Sequence, residues 1–168
     1  TVSIKRNNEC LVEDTVLVIA HPLPVLEIRN LAACMGNSIN LSTSIIHSIS
    51  DISLKFYSDE NAQNELSDPE VVVTSNTTYY VQAENTITRC LSEVIPIKII
   101  IPDVLIWSPD ITGTAEEQLD WNNPLNWDQK VVPLSCTDVY IPGNAGSYPY
   151  LGDNTPGLYN CDNIYFMH

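Results

Sequence analysis

The stretch YYVQAENTITRCLSEVIPIKIIIP, residues 79–102, decides the fold class. Two runs rich in Val, Ile and Tyr flank a turn that carries Cys90, and such runs between turn residues are typical of β-strands. Eleven prolines and many Asn, Ser and Thr residues separate similar short runs along the rest of the chain. The sequence therefore predicts an all-β protein.

Residues 1–22, TVSIKRNNECLVEDTVLVIAHP, repeat the order of features found in residues 79–102. The matched pairs, all at one offset, are Cys10 with Cys90, Leu11 with Leu91, Glu13 with Glu93 and Pro22 with Pro102. A fixed offset of this kind indicates an internal repeat. We expect residues 1–22 to be the C-terminal hairpin of a preceding module and residues 23–104 to be one complete module.

Charge and hydropathy exclude two classes of partner. The 168-residue chain carries a net charge of −14, which repels phosphate backbones and anionic lipid, so we expect no nucleic acid partner. The apolar run at residues 94–106 is interrupted by Pro and charged residues and is shorter than the about 20 residues that a membrane span needs. The sequence also predicts no cofactor. Thr1 begins in mid-strand and His168 ends in mid-pattern, so we expect a piece of a longer polypeptide.

The five cysteines predict disulfides. Within residues 23–104 we expect Cys34 to pair with Cys90, and beyond them Cys136 with Cys161, which leaves Cys10 without a partner. The alternative is five reduced thiols in a cytosolic protein. Disulfides are favoured because no CxxC or His-containing zinc spacing competes for these cysteines, and they indicate export from the cell.

Residues 23–104 contain about six or seven short strands with turn signals, as expected of an immunoglobulin-like antiparallel β-sandwich. In DISLKFYSD (51–59) the alternation predicts Phe56 inward and Tyr57 outward. In CMGNSINLSTSI (34–45), Gly36 marks a turn, and Ile39, Leu41 and Thr43 are predicted to share one face of a strand.

Five motifs of this module occur in a recognisable order. They are C-x-G-x-S-I-x-L, L-K-F-Y-S-D, T-T-Y-Y-V-Q-A-E-N, C-L-S-E and I-K-I-I-I-P. This order resembles the immunoglobulin-like repeats of large secreted and cell-surface proteins of Bacteroidetes-type bacteria. The resemblance implies a module of an exported, multi-domain surface protein whose neighbours belong to the same chain. In such repeats the early Cys and the Cys after the T-Y-Y-V strand are commonly paired.

The composition changes after residue 104, and residues 105–168 are rich in Trp, Pro and Asn. The pattern D-W-x-x-P-x-N-W, then V-P, D-V-x-I-P and C-x-N-I, is similar to a segment that opens a further β domain in such surface proteins, sometimes a β-solenoid. An aromatic platform for a glycan is one interpretation of its rings. Its members would be Trp107, Trp121, Trp127, Tyr148 and Tyr150. The alternative is the core of a small domain, which Pro124 favours because it prevents one flat strand from presenting two rings.

Catalytic patterns are weak, since the chain has three histidines, no G-x-S-x-G elbow and no glycine-rich phosphate loop. The sequence Asp14-Thr15-Val16 resembles a short bacterial O-glycosylation site at Thr15, and a buried strand threonine is the alternative. We therefore expect a non-catalytic structural and adhesive module that meets an extracellular glycan or protein. A carbohydrate-binding accessory module of a glycan-processing enzyme is the alternative.

Overall fold

The structure is a computed structural model that describes residues 2–4, 12–14, 19–48, 50–109, 112–151 and 159–167. Short strands dominate these residues, so the chain is all-β, as its sequence predicts. In chain order the strands are β1 (Val2–Ile4), β2 (Val12–Asp14), β3 (Leu26–Ile28), β4 (Leu31–Ala32), β5 (Ser38–Asn40), β6 (Ile45–Ser48), β7 (Ile52–Tyr57), β8 (Glu70–Val72), β9 (Thr77–Asn85), β10 (Ile95–Ile100), β11 (Val104–Ile106), β12 (Asp138–Pro142) and β13 (Ile164–Met167). Two 3₁₀ helices span Leu41–Ser44 and Pro124–Asn126.

The largest sheet has the strand order β4-β10-β9-β7 and contains the two strands predicted around Cys90. β9 and β10 pair antiparallel, with Val81 opposite Ile95. Ile97 and Ile99 of β10 are buried and Lys98 between them is exposed, which is the period-2 pattern of a sheet with one covered face. β4 adds to the other edge of β10 in the parallel direction.

Three small antiparallel sheets, β1-β2, β3-β6 and β5-β8, complete this part of the chain. Buried side chains of the largest sheet pack with others from outside it in one mainly aliphatic cluster, in which each side chain larger than Ala contributes about 1.5–3 kcal/mol by its burial. Its members are Leu26, Leu31, Ala33, Leu41, Phe56, Val73, Val81, Ala83, Ile97 and Ile99. The immunoglobulin-like strand arrangement stays a prediction. So does the origin of the β1-β2 hairpin in a preceding repeat.

Polar side chains end the strand that was predicted to continue past Asn40. The Asn40 side chain accepts a hydrogen bond from the Ser42 amide at 3.0 Å, and the Thr43 hydroxyl donates to the Asn40 carbonyl at 2.7 Å. These bonds compete with a sheet ladder and favour a tight helical turn. Leu41 is therefore buried and Thr43 exposed, and the prediction that they share a strand face is wrong. Gly36 adopts a φ of 84° in the turn where it was predicted.

The Trp-rich part contains a second sheet, β11-β12-β13, in which consecutive strands are all parallel. Loops and one 3₁₀ helix join its strands in the described residues, and stacking of this kind is typical of solenoids. Sheet membership changes between Ile100 and Val104, where the composition shift also falls. Residues 127–129 cover the outer edge of β11, since the Asp128 amide donates to the Ile106 carbonyl at 3.1 Å.

One disulfide, between Cys34 and Cys136, joins the two parts across a sequence separation of 102 residues, with the Cα atoms 6.0 Å apart. Cys90 and Cys161 are free thiols, so both predicted pairs, Cys34 with Cys90 and Cys136 with Cys161, are wrong. Cys10 lies outside the described residues.

The strand β10 explains why Cys34 cannot reach Cys90. Ala33 donates its amide to the carbonyl of Ile100, the last residue of β10, whereas Cys90 precedes the first. Six residues of strand separate the two positions by about 17 Å, and a disulfide needs Cα atoms within about 7 Å.

Removing the Cys34–Cys136 bond should lower stability strongly. Closing a loop of this length is worth up to about 4.7 kcal/mol in the chain-entropy model, so the double variant Cys34→Ser, Cys136→Ser should melt about 10 °C or more below the unmodified protein. Thermal unfolding followed by circular dichroism measures this. The variant Cys90→Ser is the matched control and should melt within about 2 °C of the parent, because Cys90 has no disulfide partner. Equal melting temperatures for the double variant and the parent would contradict the prediction.

Candidate functional site

Three tryptophan rings form the core of the Trp-rich part. The centroids of Trp107 and Trp127 lie 5.0 Å apart and those of Trp121 and Trp127 4.9 Å apart, in edge-to-face contact. Each ring is at most 1% exposed. The ring faces therefore meet each other and not a ligand, so these three residues offer no platform to a saccharide. The core interpretation is the one that the structure supports.

The motif Asp120–Trp127, DWNNPLNW, folds through local hydrogen bonds. The Asp120 carboxylate accepts from the Asn122 amide at 2.9 Å, and the Asn123 side chain accepts from the Leu125 amide at 3.0 Å. Asn123 thus caps the 3₁₀ helix, and Pro124 occupies its first turn, where a missing N–H costs nothing. The motif is a compact turn that delivers two tryptophans to one core.

Asn126 is the buried polar residue that holds this turn to the preceding segment. Its side-chain amide donates to the Glu117 carbonyl at 2.6 Å and to the Asp120 carbonyl at 2.9 Å. Burying such an amide is tolerated because these bonds replace water. Sequence reasoning treated Asn126 only as part of a pattern. In the sequence, Asn126 lies between Trp121 and Trp127, and this position was the signal that could have identified it as a buried polar residue.

The three indole N–H groups differ in their partners. Trp107 donates to the Ser147 carbonyl at 2.7 Å, and Trp127 donates to the Trp121 carbonyl at 2.9 Å. The Trp121 indole N–H is buried and has no hydrogen-bond partner among the described residues. An unmade bond of this kind costs about 1–3 kcal/mol.

Two predicted ligand-binding residues lie at the surface. Tyr148 is 48% exposed and Tyr150 is 68% exposed. The Tyr148 hydroxyl donates to the Gly143 carbonyl at 2.5 Å, which fixes the ring, and the Tyr150 amide donates to the Leu119 carbonyl at 2.9 Å. Their rings are accessible to a ligand, so the aromatic platform is reduced to this pair.

Cys161 is a free thiol on the segment that leads into β13. β12 and β13 pair in parallel with Val139 opposite Ile164, and Thr137 and Asp162 lie on the segments just before them. The two segments still run side by side there, because the Asp162 amide donates to the Thr137 carbonyl at 2.7 Å. Burial, together with the charges of Asp162 and Asp138, raises the pKa of the Cys161 thiol. Cys161 is therefore mostly protonated at neutral pH.

Other titratable groups have structural partners. The carboxylate of Asp59 accepts bonds from the amides of Asn64, Gln63 and Asn61, and the Asn64 bond, at 2.6 Å, contributes most to lowering its pKa. Among the described residues, no group of three or more His, Cys, Asp or Glu side chains is placed to hold a metal ion. Nor does any helix in those residues have the length and apolar character to cross a membrane. Thr15 lies outside the described residues.

The difference between the indole N–H groups of Trp121 and Trp127 can be tested with two matched variants. Trp127→Phe and Trp121→Phe remove the same atoms from the same core. Trp127→Phe also leaves the Trp121 carbonyl without its hydrogen-bond donor, whereas Trp121→Phe removes an N–H that has no partner among the described residues. We expect Trp127→Phe to be the more destabilising by at least about 1 kcal/mol. Urea unfolding monitored by circular dichroism compares them. A larger loss for Trp121→Phe would contradict the assigned partners.

Comparisons with known proteins place the chain in no family. No protein-family model, no curated protein and no solved structure matches it. The likeness to immunoglobulin-like repeats therefore depends on the motifs of residues 25–104 and their partial copy in residues 1–22.

Proposed function

We propose that this chain is a non-catalytic structural and adhesive module of an exported, multi-domain bacterial surface protein, with an immunoglobulin-like unit in residues 23–104. The observation that carries the proposal is the disulfide between Cys34 and Cys136. Disulfides persist mainly in oxidising compartments, so the bond supports export. The motif resemblance supports the surface assignment.

The position of the disulfide suits a role under load. Cys34 lies two residues after β4 on the edge of the largest sheet, and Cys136 lies two residues before β12 of the parallel sheet. When the two ends of the chain are pulled apart, the force passes through this bond. The residues between the two cysteines carry no tension while the bond is intact. Those residues include β7, β9 and β10 and the three tryptophans. The module therefore keeps its shape where a chain without the bond would unravel.

The tryptophan core also joins residues 23–104 to the Trp-rich part through noncovalent contacts. Ala32 of β4 and Ile100 of β10 pack against the tryptophan core. The disulfide and this packing act at the same junction, which supports one stiff unit and argues against two units on a flexible linker.

Stretching single molecules between their ends tests the load-bearing role. About 66 residues lie outside the bridge, so the oxidised chain should extend to about 230 Å and the reduced chain to about 590 Å. The oxidised double variant Cys34→Ser, Cys136→Ser should behave like the reduced parent, and the oxidised Cys90→Ser variant like the oxidised parent. Full extension of the oxidised parent would overturn the proposal.

A carbohydrate-binding accessory module is the second candidate, and the exposed pair Tyr148 and Tyr150 favours it. Aromatic rings accessible to solvent bury the C–H faces of sugars. If this candidate holds, titration with oligosaccharides should change the intrinsic fluorescence, and the double variant Tyr148→Ala, Tyr150→Ala should lose the change. The matched control is Tyr165→Ala, at an exposed ring stacked on Tyr140. An unchanged response in the Tyr148/Tyr150 variant would exclude the site.

A further inference from the structure

A cavity of about 220 Å³ lies where the largest sheet meets the Trp-rich part. Arg29 and Asn30, in the turn between β3 and β4, form one wall together with Ala32 of β4. Side chains from residues 122–134 form the other wall. Ligand sites are often found at boundaries between packed units, and those for drug-sized ligands measure about 300–1,000 Å³. This cavity therefore suits one small ligand, or the terminal unit of a larger one.

The disulfide joins the two walls of the cavity. Cys34 lies two residues after Ala32 on the first wall, and Cys136 lies two residues after Leu134 on the second. The walls are therefore held together before any ligand arrives. A site that is organised in advance loses less conformational entropy when it binds.

Positive charge is concentrated at this cavity. Its lining contains Arg29 and Lys130 and no Asp or Glu, although the chain has 21 acidic residues and 7 Lys and Arg residues. Of the five Lys and Arg residues that the structure describes, Lys55 and Arg89 form salt bridges. Arg29, Lys130 and Lys98 form none among the described residues, and Lys98 lies outside the cavity. Two cations without ion pairs thus face one concave site, which favours the binding of an anion.

Both cations keep hydrogen-bond donors for a ligand. The Arg29 guanidinium donates to the Thr43 carbonyl at 3.3 Å, and the Lys130 ammonium donates to the Leu125 carbonyl at 2.7 Å. Arginine has five N–H donors and lysine has three, so donors remain on each after these bonds are made. The guanidinium fork matches the two oxygens of a carboxylate, and such charge-assisted bonds are about twice as strong as neutral ones.

The rest of the lining suits the body of a sugar. The side-chain amides of Asn30 and Asn122 make no hydrogen bond among the described residues, so they can donate to hydroxyl groups and accept from them. Val132 and Leu134 provide apolar surface for C–H groups. The net charge of −14 disfavours a polyanion, so a ligand with a single carboxylate fits best.

We propose that this cavity binds a hexuronate, a sugar unit with one carboxylate, and that Arg29 and Lys130 bind the carboxylate while Asn30 and Asn122 bind hydroxyls. The inference rests on the adhesive function proposed above and deepens it by naming a class of glycan. The site does not involve the exposed tyrosine pair. The stretching experiment reports on the disulfide and not on these side chains, so the two proposals can fail separately.

Nuclear magnetic resonance of the ¹⁵N-labelled full chain tests the site. The probes are the methyl glycosides of galacturonate, glucuronate and mannuronate, and the controls are their uncharged methyl esters. At least one hexuronate should shift amide signals of residues 29–32 and 122–134 in a saturable way. Its ester should bind about tenfold or more weakly, because it lacks the charge. No saturable shift with any of the three, or equal binding of the ester, would overturn the proposal. Tighter binding of a capped triglutamate peptide at these residues would also overturn it.

Three variants assign the binding to the two cations. Arg29→Gln and Lys130→Gly should each weaken hexuronate binding about tenfold or more and leave ester binding nearly unchanged. Lys98→Gln, at the described cation outside the cavity, should bind like the parent. Lys130 has a φ of 58°, which glycine adopts without steric cost, so Lys130→Gly should melt within about 2 °C of the parent or above it. Hexuronate affinity equal to the parent's in both cavity variants would contradict the proposal.

Discussion

The bond between Cys34 and Cys136 is the constraint on which the arrangement of the molecule depends. It fixes the parallel edge of an antiparallel-rich sheet, where β4 meets β10, to the start of β12 in a parallel stack. A mainly antiparallel sheet and a parallel sheet are therefore held together at one junction. Successive residues of β4 and β10 then pack in different clusters, with Leu31 and Ile99 in the aliphatic cluster and Ala32 and Ile100 against the tryptophan cluster.

The two cores are filled by different kinds of apolar side chain. β7, β9 and β10 of the largest sheet have six to nine residues each, and alternating apolar side chains such as Val81, Ile97 and Ile99 suffice to fill one face. The parallel stack has strands of three to five residues and cannot supply enough aliphatic surface. Three indole rings provide the missing volume, and a buried asparagine satisfies the carbonyls of the turn that delivers them.

The sequence alone was sufficient where local rules operate. The β-branched runs around Cys90 predicted β9 and β10, and Gly36 predicted a turn, in which the structure gives it a positive φ. Alternation failed at Tyr57, since Phe56 and Tyr57 are both buried. Glu65 forms a β-bridge to Tyr57, so the chain that follows β7 folds back beside this end of the strand, which alternation within one strand does not predict. Cysteine pairing could not be predicted, because it depends on which strand ends are adjacent in space. Cys34 lies near the last residue of β10 and Cys90 lies before its first residue, so the length of the strand separates the two cysteines.

Nuclear magnetic resonance of protein labelled with ¹³C at cysteine Cβ tests the central claim most directly, since the Cβ shift separates oxidised from reduced cysteine. In freshly folded protein at neutral pH we expect oxidised shifts for Cys34 and Cys136 and reduced shifts for Cys90 and Cys161. An oxidised Cys90 together with an oxidised Cys34 would contradict the account, because it would place the disulfide within residues 23–104 and leave the two sheets without a covalent connection.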